Sequence, residues 1–124
     1  MKTNEKFVSE SVITLKKNRE LAFDSDEYRN CGFRVGSKVR LSDNITRHKM
    51  EWNDAPTNDD IEYEERMKKS DDAWKGAVVT VSDALILYNP FTYEPVLCIW
   101  VENDDLGKRQ LVDYKADIVE VVKY

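Results

Sequence analysis

Hydrophobic and polar residues alternate most clearly on either side of the chain's middle third. Val39 and Leu41 alternate with Lys38, Arg40 and Ser42, the period of two that marks a half-buried strand. Gly36 stands just ahead of that run, where a turn is expected. A second strand is predicted over residues 77–81, opened by Lys75-Gly76 and extended or resumed through residues 85–87. Residues 96–102 form the most strongly β-forming segment of the chain. Between these two runs, residues 88–95 read as a turn region, because neither Pro90 nor Pro95 suits a central strand. Residues 103–107 form a hairpin loop closed by Gly107, residues 109–114 a returning strand, 115–117 a short break and 118–122 a last strand. Short strands at regular spacing, joined by tight turns, are the pattern of a small barrel.

Two segments follow a different period. In the first thirty residues Val8, Val12 and Leu15 fall at helical spacing behind Ser9-Glu10-Ser11. The same stretch also reads as two short strands, 12–15 and 20–23, around a polar turn at 16–19, and the helix is the preferred reading. Residues 43–57 are polar and contain Pro56, the pattern of a loop. Thr57 then caps a predicted helix, with Asp59 and Asp60 at its positive end and Arg66, Lys68 and Lys69 near its close at about residue 69. Its few apolar residues, Ile61, Tyr63 and Met67, place it on the surface. The chain thus divides into an N-terminal extension, 1–30, and a domain, 31–124, with a long insertion at 43–74.

Composition narrows the class. Of 124 residues 41% are hydrophobic and 35% charged, enough for one domain with a thin core under much exposed surface. No apolar run approaches the roughly 20 residues of a membrane-spanning helix, and the first ten residues do not read as a secretory signal. Cys31 and Cys98 are far apart and belong to no metal-binding spacing, so they are expected to be reduced thiols in a cytoplasm. The net charge of −5 argues against indiscriminate binding of polyanions. That average hides a division: residues 29–49 carry six basic side chains and one acidic one, whereas 50–65 carry seven acids and no Lys or Arg.

The order of elements resembles the SH3-like barrel of KOW, Tudor and related small bacterial and phage domains. Phe33-Arg34-Val35-Gly36-Ser37-Lys38-Val39-Arg40-Leu41 is similar to the opening strand of such domains, and Gly76-Ala77-Val78-Val79-Thr80-Val81 to their second. Cys98-Ile99-Trp100-Val101-Glu102-Asn103 is similar to the third strand and its turn. Gln110-Leu111-Val112 with Ala116-Asp117-Ile118-Val119-Glu120-Val121 is similar to the fourth strand, a one-turn helix and the closing strand. The resemblance covers 33–42 and 75–122 and implies a mainly β, five-stranded barrel with a helix-containing insertion between its first and second strands. The insertion and the displacement of the turn glycine to Gly107 are departures from the pattern, and both put the transfer of any family's binding site in doubt.

Catalytic chemistry is not expected. His48 stands between Arg47 and Lys49, which neither orient nor tune a general base. The cysteines lack a neighbouring His, and no phosphate-cradling loop, HExxH or EF-hand pattern is present. No cofactor, metal or small-molecule substrate is indicated. The aromatics say more. Tyr88, Phe91 and Tyr93 cluster on one predicted loop, with Trp74 just ahead of the second strand. Flat rings bury area at low entropic cost, so these four are the expected anchors for a protein partner, unless they fold back over an open barrel end. Asp59, Asp60, Glu62, Glu64 and Glu65 would steer toward a basic surface. Trp100, mid-strand among aliphatics, is assigned to the core. Nucleic-acid binding through Arg34, Lys38, Arg40, Arg47 and Lys49 is the second reading, weakened by the adjacent acids, which repel phosphates. A third is an acidic mimic of nucleic acid acting on a DNA-binding protein.

Overall fold

A computed structural model describes residues 14–47, 55 and 57–124. Their elements run α1 (14–24), α2 (Asp26–Arg29), β1 (Lys38–Leu41), α3 (Asn58–Trp74), β2 (Val78–Tyr88), β3 (Pro95–Asn103), β4 (Gly107–Gln110), α4 (Tyr114–Asp117) and β5 (Ile118–Lys123). Residues 14–24 and 26–29 of the N-terminal extension are helical, so the alternative with a strand at 20–23 falls; Val8 and Val12 lie outside the described residues. Ser25 separates the two N-terminal helices. Its hydroxyl donates to the Ala22 carbonyl at 2.6 Å and accepts from the Tyr28 amide at 3.2 Å, ending one helix and capping the next.

The five strands form one antiparallel sheet in the order β4-β3-β2-β1-β5. The expected closed barrel is not formed by strand pairing: β4 and β5 are the sheet's two edges. Two features account for this. The β4 strand has only four residues, and the β1–β5 ladder is broken by register shifts at two points, so neither edge presents a regular run along which the sheet would close.

Alternation along the strands builds the core. Val39 and Leu41 point inward from β1, Val79, Val81, Ala84 and Ile86 from β2, and Leu97, Ile99 and Val101 from β3. A register shift between Val81 and Asp83 preserves this order across the bend in β2. Trp100, paired across the ladder with Asp83, therefore points to the other face and is half-buried. Its assignment to the core is corrected on that ground.

The open side of the sheet is filled by aromatics from the connections. Tyr28, Phe33, Trp74 and Tyr114 join the core. The Tyr28 hydroxyl accepts from the Val35 amide at 2.9 Å, tying the N-terminal extension to the entry of β1. The insertion enters α3 through a capping box in which Thr57 and Asp60 exchange backbone and side-chain bonds. This helix continues one turn past the expected end, which brings Asp71 and Trp74 to the sheet. Gly76, at φ +65°, then turns the chain into β2.

The link from β1 into the insertion is held by a buried carboxylate. Asp117 is 1% exposed, and its Oδ1 accepts from both the amide and the hydroxyl of Thr46 at 2.8 Å. With the Asp113 amide donating to its Oδ2 at 3.4 Å, both carboxylate oxygens are hydrogen-bonded within the chain, which fits a structural role.

Candidate functional site

The β2–β3 hairpin is the longest feature of the sheet. β1 pairs with β2 only through Val78–Thr80, and β4 with β3 only from Trp100 onward. From Ala84 to Ile99 the two strands therefore pair with each other and, among the described residues, with no third strand. A bidentate ion pair stands at the base of this ribbon: Arg19 Nε and Nη2 each meet an Asp83 carboxylate oxygen at 2.9 Å. The hydrogen bond from Arg19 holds the Asp83 carboxyl below the usual carboxylate range, against the opposing effect of burial.

The ribbon's tip is a stiff turn. Asn89 Oδ1 accepts from the amides of Phe91 at 2.8 Å and Thr92 at 3.3 Å, while its carbonyl accepts from the Tyr93 amide at 2.8 Å. The Asn89 amide closes the loop on the Glu94 carbonyl at 2.9 Å. Tyr93 adopts φ +58°, a left-handed conformation that costs a residue with a Cβ about 1–2 kcal/mol. This turn lifts its aromatics into solvent: Phe91 is 89% exposed, Tyr93 79% and Tyr88 58%. The alternative in which they fold back over the sheet is not what the chain does.

Trp74 parts company with them. It is 4% exposed and belongs to the core, so it is corrected from anchor to core residue. Its position after a run of polar helix residues offered no contrary signal; only the length of α3, one turn more than expected, carries the ring inward.

The acidic residues sit elsewhere. Asp59, Glu62 and Glu65 are exposed on α3, while Asp60 and Glu64 are partly covered. The Asp60 carboxylate accepts from the Thr57 amide at 2.9 Å and so is engaged at the helix start. Only the last turn of α3 is buried, through Asp71 and Trp74. The acids therefore stand on a helix whose far end leads into β2, whereas the aromatics stand at the end of β2. That strand is 11 residues long, about 35 Å of extended chain. The expected anchors and steering charges thus belong to two different elements, the β2–β3 hairpin and α3.

The basic stretch is largely paired within the chain. Arg40 Nε meets Glu120 at 2.9 Å, Arg47 meets Asp72 at 2.5 Å and Asp71 at 3.8 Å, and the Arg34 guanidinium lies 5.2 Å from the Tyr124 ring centroid. Lys38 is exposed; Lys49 and His48 lie outside the described residues.

A concavity that no sequence signal marked lies where α2 and the segment after it meet α4. It encloses about 420 Å³ and is lined by Glu27, Cys31, Phe33, Tyr114, Lys115 and Ile118, among others. The Tyr114 hydroxyl donates to Glu27 at 2.5 Å, and burial first, then this bond, push its pKa well above the ordinary tyrosine range. The Cys31 thiol donates to the carbonyls of Tyr28 at 3.0 Å and Phe33 at 3.1 Å, and burial raises its pKa. Both shifts favour the neutral forms, the opposite of what activates a nucleophile. Among the described residues no cluster of three or more His, Cys, Asp or Glu is placed to hold a metal ion, and no helix is long and apolar enough to cross a membrane.

Compared with known protein families, curated proteins and solved structures, the chain gives no match.

Proposed function

We propose that this chain is a non-enzymatic interaction module, regulatory or accessory in role, that docks on a protein partner through the tip of the β2–β3 hairpin. The observation that carries the reading is the exposure of Phe91 and Tyr93 on a turn locked by Asn89, with Tyr93 held at positive φ. Large rings in water are unfavourable, and backbone strain at an exposed aromatic gives the fold nothing in return. Rigid aromatics that need little further ordering are the kind of side chain that carries binding energy at interfaces. The acids of α3 act as a steering field toward a basic partner surface. An SH3-like ancestry, with the strand order β4-β3-β2-β1-β5 and a one-turn helix ahead of β5, belongs to the same proposal.

Nucleic-acid binding ranks below this reading because Arg40 and Arg47 already face carboxylates and Arg34 an aromatic ring. Affinity capture from lysate, with and without nuclease, tests the order. Capture that survives nuclease and disappears in the F91A/Y93A double variant is the expected result. Capture lost on nuclease treatment and unchanged in that variant would overturn the proposal in favour of the basic segment.

A further inference from the structure

The concavity beside α4 has a volume of about 420 Å³, within the range of small-ligand sites. Its apolar wall is made by Phe33 and Tyr114, both buried, whose rings meet edge to face with centroids 6.0 Å apart, and by Ile118. Its polar residues include Glu27, Asn30 and Lys115. The Lys115 ammonium lies 3.5 Å from Glu27 Oε1 and 6.0 Å from the centroid of the Tyr114 ring. The chain thus places an ammonium of its own between a carboxylate and an aromatic ring at the rim of the pocket. That side chain is 70% exposed on a flexible stem, and such surface pairs are weak and easily exchanged.

We propose that this pocket binds a small molecule bearing a primary ammonium on an apolar body, with Glu27 as counter-ion and the Phe33–Tyr114 wall against the apolar part. The ligand's ammonium takes the place of Lys115, and its body displaces water from the rings. Other ligand classes find less. The Cys31 thiol already donates to the Tyr28 and Phe33 carbonyls, and the Tyr114 hydroxyl to Glu27. An anion would face the Glu27 carboxylate, and the Lys115 ammonium on the rim is already paired with that carboxylate. This inference is independent of docking through the hairpin tip and stands or falls without it.

The test is a titration of the full chain with benzylammonium chloride, followed by amide NMR, with benzyl alcohol as the neutral counterpart. The expected result is a millimolar Kd, the affinity open to so few heavy atoms, with shifts centred on Cys31 and Lys115 and none from the alcohol. Lys115→Ala removes the internal competitor and should tighten binding about two- to fivefold. Glu27→Gln should weaken it about tenfold. Equal shifts from benzyl alcohol, absence of shifts at the pocket, or weaker binding in K115A would each overturn the proposal. The K115A arm is decisive if E27Q unfolds, since Lys115 is exposed and its loss leaves the core intact.

Discussion

Arg109 on the edge strand β4 and Asp71 in the last turn of α3 meet at 2.5 Å, with side chains only 15% and 10% exposed. The pair ties the insertion to the edge of an otherwise open sheet, and Arg47 adds a second cation to the same carboxylate at 3.8 Å. Removing one partner of such a pair leaves an uncompensated, nearly buried charge. Asp71→Ala should cost about 2–4 kcal/mol in chemical denaturation. A D71L/R109M double variant, which removes both charges, should recover most of that loss. A single-variant cost below about 0.5 kcal/mol would mean that water, not Asp71, satisfies the guanidinium.

Arg19 and Asp83 make the ribbon's stability depend on pH. The hydrogen bond from Arg19 depresses the folded-state pKa of Asp83, and burial partly opposes it. A depressed carboxylate pKa stabilises the fold fully above the unfolded value, about 3.9. The contribution declines as pH falls below that value and through the folded one. The difference in thermal midpoint between the native chain and Asp83→Asn should therefore be present at neutral pH and shrink below about pH 4. A difference that stays constant into strong acid would show that Asp83 titrates as it does in the unfolded chain.

Trp74 should behave as a core residue. Its replacement by Ala removes a buried indole and is expected to cost about 3–5 kcal/mol, enough to unfold a marginal domain of this size. Phe91→Ala, by contrast, should move stability by less than about 0.5 kcal/mol, because nothing packs on the ring. Urea midpoints for the two variants check both statements, and a mild W74A would return that ring to the surface.

The first three strands were legible from apolar runs next to a glycine or proline boundary, whereas the returning strand expected over 109–114 is found at Gly107–Gln110, with Tyr114 already opening α4. Lys38–Leu41 and the Ile99–Val101 centre of β3 needed nothing more. Trp100 was misassigned because aliphatic neighbours on both sides hide which face a residue takes in a strand apolar on both faces. Only the register, Asp83 opposite Trp100 and Ala84 opposite Ile99, decides it. The openness of the sheet was not legible either. It rests on register breaks between β1 and β5, and a bulge leaves no mark in Ile118-Val119-Glu120-Val121-Val122. For the candidate sites the split is similar. The hairpin aromatics were visible as large rings in a polar turn. The pocket was not, because Glu27 and Tyr114 lie 87 residues apart and neither belongs to a local motif.

Tyr93 separates stability from docking most cleanly. Its φ of +58° is one that glycine adopts without a Cβ clash. Tyr93→Gly relieves about 1–2 kcal/mol of strain and adds about 0.5–1 kcal/mol of unfolded-state entropy. The variant should therefore melt at or slightly above the native midpoint. If the ring is an anchor, the same variant should lose partner capture by at least about tenfold, the usual scale of a central aromatic at an interface. Tyr93→Phe keeps the ring and the strain and should retain capture. A stable Y93G that still binds would show that the strain serves the turn and not the partner. The docking surface would then have to be sought at Phe91 alone or on α3.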